Sequence, residues 1–248
     1  MRDDACVAFA ETMQYILVTL FIILQPSSAE LVDKVFKEVE YQTIVAKPEQ
    51  VEILWLDNEG KQIRTFPKLS AVSEERKVVA VMNGGIFERG EVPTGLLIQN
   101  GKELSPLNLR KGKGNFYLKP NGVFYLTDEG AFICDSEAFS GARNVKFATQ
   151  SGPLLLNKGV IHAAFNKDST SRLLRNGVGV RSDGRVVLAI SKKSSEKQPN
   201  LYEFSELFKR LGCVSALYLD GVISDVRNEK TRAKPSRRFS SFVLVYGS

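Results

Sequence analysis

The sequence predicts an α+β fold in a single domain, with largely antiparallel or mixed β-sheets and a few flanking helices. Three observations indicate this class. Short apolar runs recur along the 248-residue chain, turn dipeptides such as Asn121-Gly122 and Asp183-Gly184 separate them, and one later stretch has clear helical spacing. The composition, 43% hydrophobic and 25% charged, is that of a globular protein and not of a disordered or fibrous one.

Residues 30–77 are predicted to be lead-in strands that pack on the rest of the domain. Segments 41–45 and 51–56 alternate or run apolar, as strands do, and residues 57–60 read as a turn between strands. Residues 70–76 are a candidate short helix. The main domain is then expected over residues 78–248.

The main domain carries most of the predicted strands and one strong helix. Asn200 is a candidate N-cap, because Glu203 three residues later completes a capping box. The apolar residues that follow recur at helical spacing, and Gly212 is suited to ending the helix. The predicted strands cover residues 78–82, 94–99, 115–118, 123–126, 131–134, 147–156, 177–180, 186–191, 213–219 and 239–246.

The first 29 residues have the character of a signal peptide. Residues 15–24 form a largely apolar run that is too short to span a membrane comfortably. Ser27 and Ala29 have the spacing of a signal-peptidase site. Positive charge is scarce before this run, but translation from Met13 would give a short signal without acidic residues. We therefore expect cleavage after Ala29, a periplasmic or secreted protein, and no stable membrane span; an uncleaved N-terminal anchor is the alternative.

The chain is basic, with a formal net charge of +6. A basic exported protein could favour anionic polymers or phosphate-bearing substrates. The basic residues are spread along the chain except near residues 192–193 and 227–238. No basic stripe alternates with aromatic residues, so we expect no nucleic-acid partner. Simple solubility accounts for most of this charge.

The histidine and cysteine content limits the chemistry. His162 is the only histidine, which excludes a three-histidine zinc site, and neither Cys134 nor Cys213 lies in a metal-binding spacing. No GxSxG motif accompanies His162 for a serine nucleophile. We expect no metal and no cofactor. The sequence leaves open whether the two cysteines form a disulfide, and it does not indicate an oligomeric state.

Polar or glycine-rich residues follow the apolar runs at five places. Each interruption alone is explained as a turn, and Asn83-Gly84 is a strong turn signal. Together they place ligand-capable side chains at several strand ends, which is how a cleft for a polar ligand is usually built. The candidate residues are Asn83, Gly84, Gly85, Thr94, Gly95, Ser151, Gly152, Arg172, Arg175, Asn176, Asp220, Gly221 and Ser224.

Five segments, in this order, resemble a known family. They read NGGIF, PTGLLIQNG, TQSGPLLLNKGVIH, SRLLRNGVGV and LYLDGVIS. The set is similar to the phosphodiester glycosidase domain, the catalytic domain of the mannose 6-phosphate uncovering enzyme and its bacterial relatives, over roughly residues 78–245. The family usually has DGGGS after the last strand, whereas this chain has DGVIS. The aspartate is kept, and the exact substrate stays open.

The resemblance implies an exported hydrolase that cleaves the bond between an anomeric carbon and a phosphodiester oxygen. Its substrate would be a sugar-phosphate diester or another anionic glycan of an envelope or extracellular polymer. The leaving group is a phosphate monoester with a second pKa of about 6, so one carboxylate could suffice. Asp220 is the first catalytic candidate because it ends a buried strand, and Glu88 and Asp168 are weaker second carboxylates.

Other residues receive roles from the same expected reaction. His162 is a candidate acid or phosphate ligand, although a lone histidine is equally well explained as structural. Arg172 and Arg175 are expected to hold the phosphate with their forked donors. Backbone amides of the strand-end glycines, such as Gly84 and Gly85, could bind its oxygens.

Two alternatives use the same residues differently. A non-catalytic envelope module would bind anionic glycans through the cleft or through the basic segment 227–238. A phosphodiesterase would instead cut the P–O bond, which usually requires metal ions between carboxylates. The sequence lacks a clear carboxylate and histidine cluster of that kind, so it favours the glycosidase.

Overall fold

Eighteen β-strands and one α-helix form the regular structure of residues 29–71 and 77–247, which are the residues that this computed structural model describes. The helix, α1, is Leu201–Arg210. The strands are β1 (Val32–Phe36), β2 (Val39–Ala46), β3 (Val51–Leu54), β4 (Val78–Asn83), β5 (Phe87–Glu88), β6 (Val92–Pro93), β7 (Leu97–Gln99), β8 (Lys102–Ser105), β9 (Gly122–Thr127), β10 (Gly130–Asp135), β11 (Phe147–Ser151), β12 (Leu154–Asn157), β13 (Val160–Ile161), β14 (Asn176–Arg181), β15 (Val186–Ser191), β16 (Cys213–Asp220), β17 (Val226–Asn228) and β18 (Phe242–Tyr246).

The described strands form three main sheets and one small hairpin, and neighbouring strands are antiparallel. A seven-stranded sheet has the order β1-β2-β15-β14-β16-β12-β13. A five-stranded sheet has the order β10-β9-β11-β7-β8, a four-stranded sheet the order β17-β4-β18-β3, and the hairpin joins β5 to β6. The prediction of a largely antiparallel β-rich domain is confirmed.

Three local predictions require correction. A few flanking helices were predicted, whereas the described part of the chain has only α1 and short 3-10 turns such as Phe66–Ala71. Residues 115–118, predicted as a strand, instead contain the 3-10 turn Asn115–Tyr117, because a short apolar run does not distinguish the two. The predicted strand 147–156 is two strands, since Gly152-Pro153 interrupts it and proline lacks a backbone donor.

Two predictions fall mainly outside the described residues. Of the predicted signal peptide, only Ala29 is described, and of the candidate helix at 70–76, only residues 70 and 71 are. Among the described helices, none is both long and apolar enough to cross a membrane. Cys134 and Cys213 are free thiols and do not pair with each other.

Strands from both sides of residue 77 share the same sheets. Strand β2 pairs with β15, with Tyr41 opposite Ser191 and Ala46 opposite Val186. Strand β3 pairs with β18 in the four-stranded sheet. The lead-in strands therefore contribute to the same sheets as the later ones, and the boundary between residues 77 and 78 stays a prediction.

Helix α1 begins at the predicted capping box. Asn200 Oδ1 accepts from the Glu203 N–H at 2.9 Å, and Glu203 Oε2 accepts from the Asn200 N–H at 3.3 Å. Phe204 and Phe208 are fully buried on its inner face. A Cβ added to Gly177 of β14 would lie 3.2 Å from an atom of each ring, so glycine at this position allows the helix to pack close to the sheet.

Polar residues meet where strands of two sheets end. Strand β4 ends at Asn83 in the four-stranded sheet, and β16 ends at Asp220 in the seven-stranded sheet. Strand β14 begins at Asn176, directly opposite Asp220. Buried apolar side chains from both sheets belong to one core cluster, which fixes these strand ends relative to each other.

Candidate active site

Asp220 lies at the junction of the two sheets and accepts a hydrogen bond on each carboxylate oxygen. Asn83 Nδ2 donates to Asp220 Oδ2 at 3.1 Å, and the Gly221 N–H donates to Asp220 Oδ1 at 2.7 Å. The backbone N–H of Asp220 donates to Asn176 Oδ1 at 2.7 Å. The first two contacts fix the orientation of the carboxyl group, and the third fixes the backbone that carries it.

Buried amide groups fix Asn83 in turn. Its Oδ1 accepts from Asn176 Nδ2 at 3.1 Å and from the Asp225 N–H at 2.9 Å, which directs its Nδ2 toward Asp220. Its backbone oxygen also accepts from Asn176 Nδ2, at 2.9 Å. Both asparagines are fully buried. Rotating either amide would leave buried groups unpaired, so the network holds Asp220 before any substrate binds.

Burial raises the pKa of the Asp220 carboxyl to about 6, and the hydrogen bond from the Gly221 N–H opposes this shift. The cause is that a low-dielectric surrounding disfavours the charged form of an acid. The group is therefore mostly ionised at neutral pH and becomes protonated in mild acid. A carboxyl tuned in this way is typical of catalytic groups.

Tyr218 lies beside this carboxyl and was missed in the assignment of site residues from the sequence. A Cβ added to Gly221 would lie 2.6 Å from the Tyr218 hydroxyl oxygen. Arg175 and Asn115 both hydrogen-bond this hydroxyl, and burial raises the pKa of Tyr218 to about 12. The spacing of two residues from Asp220 along a strand was the signal that could have found Tyr218. No comparable signal marked Asn115.

Arg175 is buried behind Tyr218 and does not have the predicted position of a phosphate ligand. Its guanidinium carbon lies 5.7 Å from the centroid of the Tyr218 ring. Its Nε donates to the Pro199 oxygen at 2.9 Å, and Nη2 donates to the Ser171 oxygen at 2.9 Å. Burial lowers the pKa of this guanidinium. With 1% of its surface exposed, Arg175 can support Tyr218 but cannot reach a substrate from this position.

Arg172 pairs with helix α1 in the structure, and its role as a phosphate ligand stays a prediction. Its Nη1 and Nη2 donate to the two carboxylate oxygens of Glu203, at 2.5 and 2.9 Å. Its Nη1 also donates to the Gln198 oxygen at 3.1 Å. This bidentate pair uses the forked donors that were expected to bind phosphate. Arg172 therefore supports the start of α1 in the structure.

Gly84 and Gly85 form a wall beside Asn83 in which the backbone is closely packed. A Cβ added to Gly84 would lie 2.2 Å from Ser241 Oγ, and the Gly84 N–H donates to the Ser241 oxygen at 2.8 Å. A Cβ added to Gly85 would lie 3.1 Å from the Ser151 Cβ. The Gly84 amide is therefore used inside the protein and is not directed at a ligand. Close packing explains both glycines.

Ser151 and Gly152 are packed under the same strand ends. Ser151 is fully buried, and its Oγ donates to the Leu219 oxygen at 2.9 Å, next to Asp220 in the chain. A Cβ added to Gly152 would lie 2.5 Å from the Asn121 Cβ. Both residues therefore support the site in the structure, and neither is placed to touch a substrate directly.

Thr94 and Gly95 follow the hairpin that leaves Gly85. The Thr94 N–H donates to the Ile86 oxygen at 3.2 Å, and its buried Oγ1 has no hydrogen-bond partner among the described residues. A Cβ added to Gly95 would lie 2.2 Å from Gln150 Oε1. Thr94 also lines a cavity of about 340 Å³, together with Glu88, Asn108 and neighbouring residues.

His162 lies in a different cavity, of about 420 Å³, lined mainly by apolar residues. Its Nδ1 accepts from the Ala164 N–H at 3.1 Å, and its Nε2 lies 3.1 Å from the Lys119 oxygen. Burial lowers its pKa, so the ring is neutral with its proton on Nε2. Its ring also stacks on Phe165. Both nitrogens are occupied by backbone groups, which supports the structural explanation of this histidine.

The turn after Asp220 contains the last two candidates. The Ser224 N–H donates to the Gly221 oxygen at 2.7 Å, and Ser224 Oγ is buried without a hydrogen-bond partner among the described residues. The described part of the chain has no group of three histidine, cysteine, aspartate or glutamate side chains that could hold a metal ion. The junction brings Asp220 together with Asn83, Tyr218 and the turn at Gly221.

Comparison with known proteins shows which family the chain belongs to. The family described as phosphodiester glycosidase matches residues 76–246. The chain belongs to the phosphodiester glycosidase family. An uncharacterised Escherichia coli K12 protein, YigE, is 36% identical over 209 residues, which cover 84% of this chain and 80% of YigE. The resemblance predicted from the five sequence segments is confirmed.

Solved structures show the same fold at low sequence identity. The catalytic domain of zebrafish N-acetylglucosamine-1-phosphodiester alpha-N-acetylglucosaminidase, auto-inhibited by its pro-peptide, has a TM-score of 0.61 at 15% identity, with 90% of this chain and 84% of that chain covered. A hypothetical Synechocystis protein has a TM-score of 0.52 at 13% identity, and the match covers 89% of this chain and 62% of that chain. A Burkholderia pseudomallei protein classed as a candidate for export has a TM-score of 0.52 at 10% identity, covering 84% and 74%.

Proposed function

We propose that this phosphodiester glycosidase family member is an exported hydrolase that cleaves the glycosidic bond of a sugar-1-phosphodiester, with Asp220 as its catalytic carboxylate. The observation that supports this most strongly is the Asp220 carboxyl itself. It ends β16, it is held by Asn83 and by the Gly221 N–H, and its pKa is raised to about 6. A positioned carboxyl of this kind suits an oxocarbenium-like transition state.

The proposed reaction breaks the bond between the anomeric carbon and the phosphodiester oxygen. The electron pair of that bond leaves with the phosphate monoester, whose second pKa is about 6 and which therefore needs no strong acid to depart. Water supplies the oxygen that becomes bonded to the anomeric carbon, and its proton is released to solvent or to Asp220. The ionised Asp220 either attacks the anomeric carbon first or stabilises its positive charge.

Tyr218 and Asn83 have supporting roles in this proposal. Asn83 orients the carboxylate through its Nδ2, and the Tyr218 hydroxyl lies next to the turn at Gly221. Arg175 carries only donors, so it donates to that hydroxyl and holds it in place. We assign Tyr218 as a positioning residue near the reacting group.

The proposed substrate is a sugar-phosphate diester of an envelope or extracellular glycan. The short apolar N-terminal segment supports export to a place where such polymers occur. The similarity in fold to a Burkholderia pseudomallei candidate for export is in keeping with this location. A purely glycan-binding module would gain support if Asp220 were fully buried in the core, but Asp220 is only partly buried as a residue.

Hydrolysis of a panel of sugar-1-phosphodiesters by the purified protein tests the proposal. We expect release of free sugar, and a loss of roughly a hundredfold or more in rate for Asp220→Asn. Asp128→Asn is the matched control, because Asp128 is an exposed carboxylate in the turn between β9 and β10 that pairs with Lys146, and it should keep the wild-type rate. Release of sugar-1-phosphate would contradict the proposed bond cleavage. Full activity of Asp220→Asn would contradict the role of this carboxylate.

A further inference from the structure

We propose that a basic loop, residues 230–238, is a docking surface for an anionic polymer with repeated phosphodiesters, which extends beyond the bond cleaved at Asp220. This inference rests on the proposed function, because it specifies the class of substrate at the same site. The loop contains several basic residues and no acidic one. The basic residues are Lys230, Arg232, Lys234, Arg237 and Arg238.

Both ends of the segment that carries the basic loop are hydrogen-bonded to the candidate site. Before the loop, the Asp225 N–H donates to Asn83 Oδ1 at 2.9 Å, and the Asn83 N–H donates to the Asp225 oxygen at 3.2 Å. After the loop, the Gly84 N–H donates to the Ser241 oxygen at 2.8 Å. The chain therefore leaves and returns beside Asn83, whose side chain binds Asp220.

The return of the loop is anchored on the hairpin that follows Gly85. Arg238 Nη2 lies 2.7 Å from Glu91 Oε2, and Arg64 Nε lies 3.2 Å from the same oxygen. The Phe239 N–H donates to the Arg64 oxygen at 2.8 Å. Two guanidinium groups thus share one carboxylate, and this local cluster keeps a positive charge.

The remaining charge of the loop faces solvent. Lys230, Lys234 and Arg237 are exposed. Like charges that are close together in the chain add to a field that attracts anions over about 8–10 Å at physiological salt. A small phosphodiester occupies only the position next to Asp220, whereas a polymer with repeated phosphodiesters can also contact the loop. Charge complementarity therefore favours a polymeric, phosphate-bearing occupant.

Equilibrium binding of a synthetic poly(glycerol phosphate) chain tests this inference without depending on turnover. The measurement uses the purified protein carrying Asp220→Asn, with and without Lys230→Gln, Lys234→Gln and Arg237→Gln combined. We expect the three loop substitutions to weaken binding roughly tenfold. We also expect the slope of log affinity against log salt to become shallower by about two, as fewer counterions are displaced.

A matched control separates the loop from net charge. Lys102→Gln, Lys193→Gln and Lys209→Gln combined remove the same charge from exposed positions on other elements and should leave binding within about twofold of the unsubstituted affinity. An equal loss in both triple variants, or no binding of the polymer, would overturn the inference. So would loop-dependent binding to phosphatidylglycerol vesicles but not to the polymer, which would identify an anionic membrane as the occupant.

A small substrate distinguishes failure of this inference from failure of the proposed function. With Asp220 intact, the loop variant should hydrolyse an active sugar-1-phosphodiester at the wild-type rate, because none of the three loop residues lies at the reacting group. If the loop variant lost both this activity and polymer binding, the loop would be supporting the active site itself. That outcome would contradict a separate docking surface.

Discussion

Asp220 combines features that a surface carboxylate lacks. Its two oxygens accept from Asn83 and from the Gly221 N–H, it follows a buried strand, and burial raises its pKa to about 6. Exposed carboxylates in this chain are instead commonly paired with lysine or arginine, as Asp33 is with Lys192. At the residue scale, Asp220 is held by amide groups and not by a cation, so no nearby positive charge offsets the effect of burial on its pKa.

The activity should depend on pH through the Asp220 carboxyl. Because the proposed reaction needs the ionised form, kcat/KM should fall about tenfold per pH unit below about pH 6 and reach a plateau above it. Asn83→Ala removes a donor to the ionised carboxylate and should raise its pKa, so the acidic fall in kcat/KM should move to higher pH. The measurement is kcat/KM against pH on a phosphodiester, whose own charge stays constant over this range.

The residual activity of Asp220→Asn is the control for this pH dependence. It should lack the acidic limb, because the asparagine does not titrate. If kcat/KM of Asp220→Asn fell in acid with the same midpoint as the wild type, another group would be the cause of that fall. A wild-type profile that rises toward acid would show that the protonated form is the active one.

At the scale of single elements, α1 shows what local sequence determines and what it does not. The capping box at Asn200 and Glu203 was predictable because its partners lie three residues apart. The ion pair between Glu203 and Arg172 joins residues 31 apart in the chain, and local spacing carries no information about it. For the same reason, the sequence did not predict the partners of Arg175 and Ser151, because those partners depend on how the sheets pack.

Arg172 should therefore contribute to stability and not to substrate binding. Arg172→Gln should lower the free energy of unfolding by about 1–3 kcal/mol, because it breaks a bidentate, charge-assisted hydrogen bond to Glu203. The kcat/KM per folded molecule should stay within about twofold of wild type. Urea unfolding and steady-state kinetics on the same preparations provide the two measurements.

A double-mutant cycle is the control for the Arg172 prediction. Glu203→Gln should cost a similar free energy, and the double variant should cost clearly less than the sum of the two, since the same pair is lost only once. Strict additivity would show that the pair contributes little. A large increase in KM with unchanged stability would return Arg172 to its predicted role as a phosphate ligand.

At the scale of the whole molecule, the sequence indicated the class of fold and the family, but not the sheet arrangement. Turn dipeptides and apolar alternation predict antiparallel strands locally. They do not say that β14 lies between β15 and β16, nor that β4 ends beside β16. The site depends on that junction, so Asp220 and Asn83 were predictable as strand-end residues while the contact between them was not.

The whole-molecule arrangement also separates the candidate residues into two groups. Asn83, Asn176, Asp220 and Gly221 are connected by direct hydrogen bonds at the junction. Other candidates lie away from the junction; His162, for example, has both ring nitrogens bonded to backbone groups. Proximity in three dimensions, and not residue type, makes this distinction, which is why the sequence placed both groups in one site.

The most direct test of the central claim is the fate of solvent oxygen during hydrolysis. The purified protein would act on a sugar-1-phosphodiester in water enriched in oxygen-18, and mass spectrometry would locate the label after a single turnover. Cleavage at the anomeric carbon, with Asp220 as the carboxylate, predicts label in the released sugar and none in the phosphate monoester. Label in the phosphate with an unlabelled sugar would show attack at phosphorus and contradict the glycosidase mechanism.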